Sequence, residues 1–300
     1  MKHALLILVL LSFIACKPKD TPSAETTPMP DHTSTVMSTA PGLRMLWNTD
    51  KILTTAESVL YDKANNLLYV SCINGVPADK KDNDGFIARV GLDGRIITLK
   101  WATGLSAPKG MAIAGNTLYV TDIDRLVAID MATGKISQSW KVEGASYLND
   151  IAASDQGTLY FTDSNSSTIY AMMAGNVTKV HADAALGGSN GIYVKENQLM
   201  LAGSSSGQIF RLDIPSLQKQ MVADSIPGAD GIEPYGDGWL VSNWNGEVYY
   251  IDAVGDVLEI LDSREARLNA ADIEIIPEKN LLLIPTFFGN TVTAYELMRQ

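Results

Sequence analysis

The chain has 300 residues, and its 34 acidic against 23 basic side chains give a formal net charge of −11. Such an acidic surface repels phosphate backbones, so nucleic acid is not expected as a partner. Of three histidines, His3 and His32 precede residue 43, which leaves His181 alone in the remainder. A histidine-rich zinc site or a histidine-dependent triad is therefore very hard to build. Cys16 lies in a predicted leader and leaves only Cys72, so no disulfide is expected within the fold.

The N-terminal segment MKHALLILVLLSFIAC joins a basic start at Lys2 to an apolar run that ends at Ala15, directly before Cys16. This run is too short to span a bilayer as a helix. The arrangement resembles a bacterial lipoprotein signal peptide over residues 1–15, in which the cysteine becomes the new N-terminus and carries the lipid. The resemblance implies a lipid-anchored protein of the cell envelope, on the periplasmic side or at the outer membrane. The alternatives are an uncleaved anchor and an ordinary secretory leader with an incidental cysteine.

Residues 16–42 follow the predicted signal peptide and hold five of the 12 prolines, many Thr and Ser, and hardly any large apolar side chain. A segment of this composition cannot bury enough surface to fold, so we expect a disordered tether that begins at the lipidated cysteine. From residue 43 to residue 300, short runs rich in Val, Ile, Leu and Tyr alternate with clusters of Gly, Asn, Asp and Ser. Short strands at regular spacing predict an all-β fold.

Six similar segments recur in this region, each with an opening dipeptide, an apolar strand, a turn and a second apolar strand. Their openings are 52, 40, 41, 40 and 41 residues apart, at Glu57, Lys109, Asn149, Asn190, Asp230 and Ala271. An insertion from Asn74 to Gly85 explains the long first step. Third and fourth strands follow, and four strands repeated six times predict a six-bladed β-propeller, against a β-sandwich or an eight-stranded barrel. The sixth unit lacks a fourth strand, which we expect Arg44 to Thr49 to supply, closing the ring.

The opening residues should converge on the propeller axis, because the innermost strand of each blade begins near the central channel. They form a ring of Glu57, Lys109, Asn149, Asn190, Asp230 and, beside Ala271, Asp272. Carboxylate and amide oxygens are the hard ligands that calcium favours and that magnesium or manganese can share. The alternative is that Asn-Gly and Asp-Gly merely form the turn into the strand. Glu57 argues against it, since glutamate has no turn preference.

The series of Glu57, Asn149 in YLND, Ser189-Asn190-Gly191 and Asp230-Gly231 resembles the gluconolactonase and regucalcin family (senescence marker protein family). The resemblance covers essentially the whole predicted propeller. It implies a divalent metal, commonly calcium, held by Glu57, Asn190 and Asp230, with Asn149 lining the same site. Members that hydrolyse sugar lactones have Gly-Pro after the glutamate and arginine two residues before the YLND-type asparagine. Here Ser58-Val59 and Tyr147 occupy those places, which favours a less polar ester or lactone.

Two functions are compatible with this sequence. The first is an extracytoplasmic, monomeric metal-dependent hydrolase acting on a small lactone or ester, with Asp230 as ligand and general base and Asn149 orienting substrate. The second is a non-catalytic propeller resembling the NHL-repeat class, which binds a ligand or protein on its top face. Side chains expected near the mouth are Tyr147, Lys109, Asp122, Trp244, Phe287 and Phe288. The aromatic side chains either line an apolar pocket or pack between blades.

Two smaller patterns have structural explanations. Thr121-Asp122 and Thr162-Asp163 recur at one blade register, which a turn hydrogen bond explains. Cys72 has no matching histidine and is expected to be an inert buried thiol.

Overall fold

The computed structural model describes residues 40–298 as 24 β-strands in six four-stranded antiparallel sheets. Each sheet is one blade of a six-bladed β-propeller, so the fold predicted from the repeat is confirmed. The predicted signal peptide, the lipidated Cys16 and nearly all of the tether lie outside the described residues. Within residues 40–298, no helix is long and apolar enough to cross a membrane.

The strands of each blade follow one another along the chain. Blade 1 contains β2 (Ala56–Asp62), β3 (Leu67–Cys72), β4 (Gly85–Gly91) and β5 (Ile96–Leu105). Blade 2 contains β6 (Pro108–Ala114), β7 (Thr117–Asp122), β8 (Arg125–Asp130) and β9 (Lys135–Lys141). Blade 3 contains β10 (Leu148–Ala153), β11 (Leu159–Asp163), β12 (Thr168–Met173) and β13 (Asn176–Ala182).

A 3₁₀ helix at Ala184–Leu186 precedes the fourth blade, and another at Pro277–Lys279 lies within the sixth. Blade 4 contains β14 (Ser189–Lys195), β15 (Gln198–Gly203), β16 (Ile209–Asp213) and β17 (Lys219–Ala223). Blade 5 contains β18 (Ala229–Tyr235), β19 (Gly238–Asn243), β20 (Glu247–Ile251) and β21 (Val257–Asp262). Blade 6 contains β22 (Glu274–Ile276), β23 (Leu281–Pro285), β24 (Val292–Met298) and β1 (Gly42–Asn48).

The ring is closed by β1, which pairs antiparallel with β24 from Gly42 opposite Met298 to Asn48 opposite Thr293. The Thr293 hydroxyl also donates to the Asn48 side-chain oxygen at 2.5 Å. The prediction that Arg44 to Thr49 supplies the missing strand is therefore confirmed, with the strand beginning two residues earlier and ending one earlier.

The hydrophobic core lies between neighbouring blades. Tyr69 and Ile87 of blade 1, for example, pack in one cluster with Leu118 and Val127 of blade 2. Both faces of a blade are covered in this way, which explains the continuous apolar runs of the inner strands. Cys72 lies fully buried in another such cluster, and burial raises the pKa of its thiol, as expected of an inert residue.

The innermost strands carry a bulge at the position where the repeats open. In blade 1, Ala56 and Ser58 pair with consecutive residues of β3, so Glu57 between them has no partner. Four further blades shift register at the same place, around Lys109, Asn149, Asn190 and Asp230. A bulge bends a strand and re-aims a side chain. We call these five side chains the ring residues.

Hydroxyl groups on the second strands hold the backbone of the ring residues in place. Thr162 accepts a hydrogen bond from the Asp150 N–H at 3.1 Å and donates to the carbonyl of Asn190, in the next blade, at 2.7 Å. Thr121 donates in the same way to the carbonyl of Asn149. The turn hydrogen bond that the sequence predicts is present in blade 3, where the Asp163 carboxylate accepts from the Ser166 N–H at 2.8 Å. The threonines of the repeated Thr-Asp pairs in addition join neighbouring blades.

Glycines follow two ring residues because the next blade approaches closely. A Cβ on Gly191 would lie 2.0 Å from the Asp230 carbonyl oxygen, and one on Gly231 would lie 2.5 Å from the Ile273 nitrogen. Both glycines lie within strands, β14 and β18. The Asn-Gly and Asp-Gly dipeptides therefore do not form turns, and glycine is required there for packing.

Candidate functional site

A cavity of about 350 Å³ occupies one end of the central channel, and we call it the upper cavity. Five ring residues line its floor: Glu57, Lys109, Asn149, Asn190 and Asp230. Loop residues line its walls and mouth: Ile73, Val76, Ala78, Tyr147, Ser164, Ser204, Trp244, Phe287 and Phe288. All side chains that the sequence places near one site line this cavity, except Asp122 and Asp272.

Asp122 is instead held by the backbone of its own blade. Its carboxylate accepts hydrogen bonds from the N–H groups of Ser106 at 3.1 Å and Ala107 at 2.7 Å, and from the Arg125 guanidinium at 2.6 Å. Asp163 makes equivalent backbone contacts in blade 3. These aspartates fix the chain as it enters the first strand of the blade. Asp122 is therefore a structural residue and does not line the upper cavity.

Two oxygen atoms on the cavity floor lack hydrogen-bond partners. Among the described residues, Glu57 Oε2 and Asn190 Oδ1 are two of only four buried side-chain polar atoms without one. Buried acceptors are nearly always paired, because an unpaired one costs about 1–3 kcal/mol. Two such atoms in one cavity, both oxygens, are available to a cation or to a hydrogen-bond donor from a ligand or water.

The floor also concentrates negative charge. Burial, followed by the charge of Asp230, raises the pKa of Glu57 well above its ordinary value, and Lys109 opposes this shift. The pKa of Asp230 is likewise raised by burial and by Asp272, whereas a hydrogen bond from the Asn190 amide lowers it. Since Asn190 donates through its nitrogen, its oxygen is left for another partner. A bound cation would favour the charged form of both carboxylates.

The Asn149 amide is oriented by a chain of hydrogen bonds. Its Nδ2 donates to the Ser164 hydroxyl at 3.0 Å, and Ser164 donates to the Ser189 carbonyl at 2.8 Å. Because the amide nitrogen is occupied, the carbonyl oxygen Oδ1 is the end available to a ligand. Such supporting contacts orient groups at metal and substrate sites.

Lys109 brings the only positive side chain to the cavity lining. Its ammonium donates to the carbonyls of Ala78 at 2.9 Å and Ala107 at 3.3 Å and lies 4.3 Å from the centroid of the Tyr147 ring. Burial lowers the pKa of Lys109, and the charge of Glu57 opposes this shift. Ala78 belongs to the insertion in blade 1, so Lys109 also ties that insertion to the cavity wall.

One side of the mouth is an aromatic wall of Trp244, Phe287 and Phe288. The three rings make edge-to-face contacts, with centroids 4.9 to 5.8 Å apart. Trp244 is 39% and Phe288 54% exposed, whereas Phe287 is buried in a small cluster with Ile73 and Ile123. Ser164 and Ser204, which follow the second strands of blades 3 and 4, also line the cavity. Trp244 and Phe288 therefore offer apolar surface to a ligand, and Phe287 packs beneath them.

The floor residues fit a divalent cation held by oxygen. Among the described residues, no three His, Cys, Asp or Glu side chains group as a metal site, so the donors here would be two carboxylates and the amide oxygens. Glu57, Asp230 and Asn190 supply the hard oxygens that calcium prefers, and two of them carry the unpartnered atoms. Asn149 Oδ1 faces the same cavity as a further donor.

Sequence reasoning missed Ile73, Ser164 and Ser204, although their register carries a signal. Each directly follows the last residue of its blade's second strand, as does Trp244. Side chains alternate along a strand, so the last strand residue and the next one face opposite ways. This alternation explains why Asp122, the last residue of β7, turns away from the upper cavity.

Comparison of the sequence with protein-family models gave no match, and comparison with curated proteins gave none either. Solved structures do match. A protein provisionally assigned as a gluconolactonase shares 14% identity with a TM-score of 0.63, covering 88% of this chain and 94% of that one. Virginiamycin B lyase from Staphylococcus aureus shares 16% identity with a TM-score of 0.59, and the match covers 85% of this chain and 99% of that one.

A chain of the nidogen–laminin complex shares 21% identity with a TM-score of 0.57, covering 69% of this chain and 79% of that one. At these identities the similarity shows the propeller fold alone, and propellers host unrelated functions.

Proposed function

We propose that the protein is a metal-dependent hydrolase that opens a lactone or related ester in the upper cavity. The observation that supports this most is the pair of buried, unpartnered oxygens, Glu57 Oε2 and Asn190 Oδ1, beside the Asp230 carboxylate. A protein that only binds through its top face has no need for such a group on the channel floor. The gluconolactonase-like neighbour has the same architecture and is compatible with this assignment.

In this proposal Glu57, Asn190 and Asp230 hold a divalent cation, calcium first. When bound, such a cation acts as a Lewis acid on the ester carbonyl. Asp230 would accept the proton of the attacking water as general base. Asn149, with its nitrogen held by Ser164, orients the substrate through its carbonyl oxygen.

The walls favour an apolar substrate group. Trp244 and Phe288 expose apolar surface on one side of the mouth, and an aryl or alkyl group bound there would be removed from water. Tyr147 stands where an arginine would hold a sugar acid, and its ring faces the Lys109 ammonium. We therefore assign an ester or lactone with an aryl or alkyl substituent as the substrate class.

We further propose that the enzyme acts in the cell envelope as a monomer anchored by a lipid on Cys16. This rests on the basic, apolar and cysteine-terminated leader in the sequence. Mass spectrometry of the membrane fraction tests it: the expected N-terminus is an acylated Cys16, and an unmodified cysteine contradicts the anchor.

The hydrolase assignment is tested by initial rates of the purified chain on phenyl esters, alkyl lactones and sugar-acid lactones, with calcium and after chelation. We expect turnover of the apolar substrates that requires a divalent ion and falls at least about 100-fold in Asp230→Asn. Asp155→Asn, at an exposed turn, is the matched control and should keep wild-type rates.

Activity that survives Asp230→Asn removes this carboxylate from the mechanism. Tight binding of an apolar ligand without turnover supports the non-catalytic alternative.

A further inference from the structure

Lys109 is unusual among the ring residues. The other four present oxygen atoms from carboxylate or amide groups, whereas blade 2 places a side chain with a positive charge at the equivalent position. The lysine is only 1% exposed, so solvent does little to screen this charge. Burying a lysine costs free energy, and a purely structural position would be filled more favourably by an apolar side chain.

The groups that contact the ammonium are neutral. Two are the backbone carbonyls of Ala78 and Ala107, and the third is the face of the Tyr147 ring. Among the ion pairs of the described residues, none involves Lys109. Its charge is therefore held in place without an ion pair, and the charges of Glu57, Asp122 and Asp79 act on it from a distance.

We propose that Lys109 is a fixed internal cation that lowers the affinity of the ring for a divalent metal ion. The proposal rests on the metal site of the proposed function. Two carboxylates attract the ion and one ammonium repels it, so the floor has less net negative charge than its oxygen ligands suggest. A site weakened in this way would bind calcium in the range of about 10⁻⁴ to 10⁻³ M, as extracellular calcium modules do.

The test is calorimetric titration of the metal-free chain with calcium chloride and, separately, with magnesium chloride. This measurement needs no substrate. Two neutral variants differ in what they preserve: Lys109→Gln keeps a donor for the Ala78 carbonyl, and Lys109→Met keeps the length of the stem. We expect both to bind calcium at least about tenfold more tightly than wild type. Lys109→Arg retains the charge and should retain weak binding, and Lys51→Gln, at an exposed position, should match wild type.

The outcomes separate this proposal from the hydrolase assignment. Calcium binding of equal affinity in wild type and both neutral variants overturns the role of Lys109 and leaves the metal site intact. Calcium binding seen only in the neutral variants supports the role of Lys109 and contradicts the proposal that the native enzyme binds a metal ion. Absence of binding in every variant, with folding verified by circular dichroism, overturns both proposals.

Discussion

The two ends of the central channel are both acidic, but they satisfy their carboxylates differently. A lower cavity of about 340 Å³ lies opposite the upper one and is lined by the first strands of all six blades. Four carboxylates face it: Asp150, Glu233, Asp272 and Glu274. The upper cavity has only Glu57 and Asp230.

The lower carboxylates mostly have donors within the protein. Asp150 accepts from two backbone N–H groups at 2.7 and 2.8 Å, Asp272 from the Ser58 hydroxyl at 2.6 Å, and Glu274 from the Tyr61 N–H at 3.0 Å. Burial raises the pKa of Asp272 to about 7 and that of Glu274 to about 8, so protons neutralise part of the charge.

This difference shows that acidity alone does not identify a ligand site. The lower cavity has more carboxylates, yet three of the four have hydrogen-bond donors within the protein. The upper cavity has fewer, but Glu57 Oε2 and Asn190 Oδ1 have no donor. Burial raises carboxylate pKa values in both cavities, so pH acts on both in the metal-free chain, whereas we expect calcium to act on the upper cavity alone.

The largest expected effect is the loss of calcium stabilisation when Glu57 is changed. Calcium at about 100 times its Kd should stabilise the wild-type chain by about 2.7 kcal/mol, because the folded state alone presents the site. Glu57→Gln should abolish this stabilisation, and Glu233→Gln in the lower cavity should keep it. Thermal unfolding with and without calcium measures the calcium-dependent stabilisation of both variants. Equal loss in the two variants would mean that the two cavities do not differ in the way described.

A smaller effect is expected from the group that orients Asn149. Ser164→Ala removes the acceptor of the Asn149 amide nitrogen, so the amide is free to rotate. If Asn149 Oδ1 serves as the further donor to the cation, loss of this supporting contact should weaken metal binding by about tenfold or more. Ser204→Ala is the matched control, since this hydroxyl lines the same cavity but donates to the Gly188 carbonyl. Calcium titration distinguishes them, and an unchanged Kd in Ser164→Ala contradicts the positioning role.

The smallest effect concerns pH and the lower cavity. Glu274 has a folded-state pKa above its unfolded value, so the folded state binds protons more tightly and stability should fall as pH rises from about 5 to 8. Glu274→Gln should reduce this loss of stability by on the order of 1 kcal/mol. The effect is small because the cavity is open to water, which screens the charge. Glu265→Gln, at an exposed turn, should leave this fall in stability unchanged.

Urea unfolding of the metal-free chain at several pH values measures this slope. Stability that rises over the same interval contradicts the assigned direction of the pKa shift.

The blades and the ring residues were predictable because they repeat. Regular spacing of the openings, once the insertion in the first step is allowed for, places Glu57, Asn149, Asn190 and Asp230 at one register. A closed ring then brings that register to the axis. The missing strand of the sixth unit likewise predicts the pairing of β1 with β24. These features depend on the chain's periodicity alone.

Other features depend on side-chain direction and on contacts between blades. Asp272 was expected in the ring, but it lies in the lower cavity, where Ser58 donates to it. The neutral surroundings of Lys109 come partly from Ala78 in the insertion, whose path has no counterpart in the other repeats. A one-residue difference along a strand reverses the direction of a side chain, so repeat alignment cannot resolve such positions.

The central claim is that the unpartnered oxygens of the upper cavity hold a divalent cation. Calorimetric titration of the metal-free chain with calcium tests it most directly. We predict one ion per chain, bound by wild type and Glu233→Gln and not by Glu57→Gln. A folded wild-type chain that binds no calcium, or one whose binding is lost in Glu233→Gln and kept in Glu57→Gln, would contradict it.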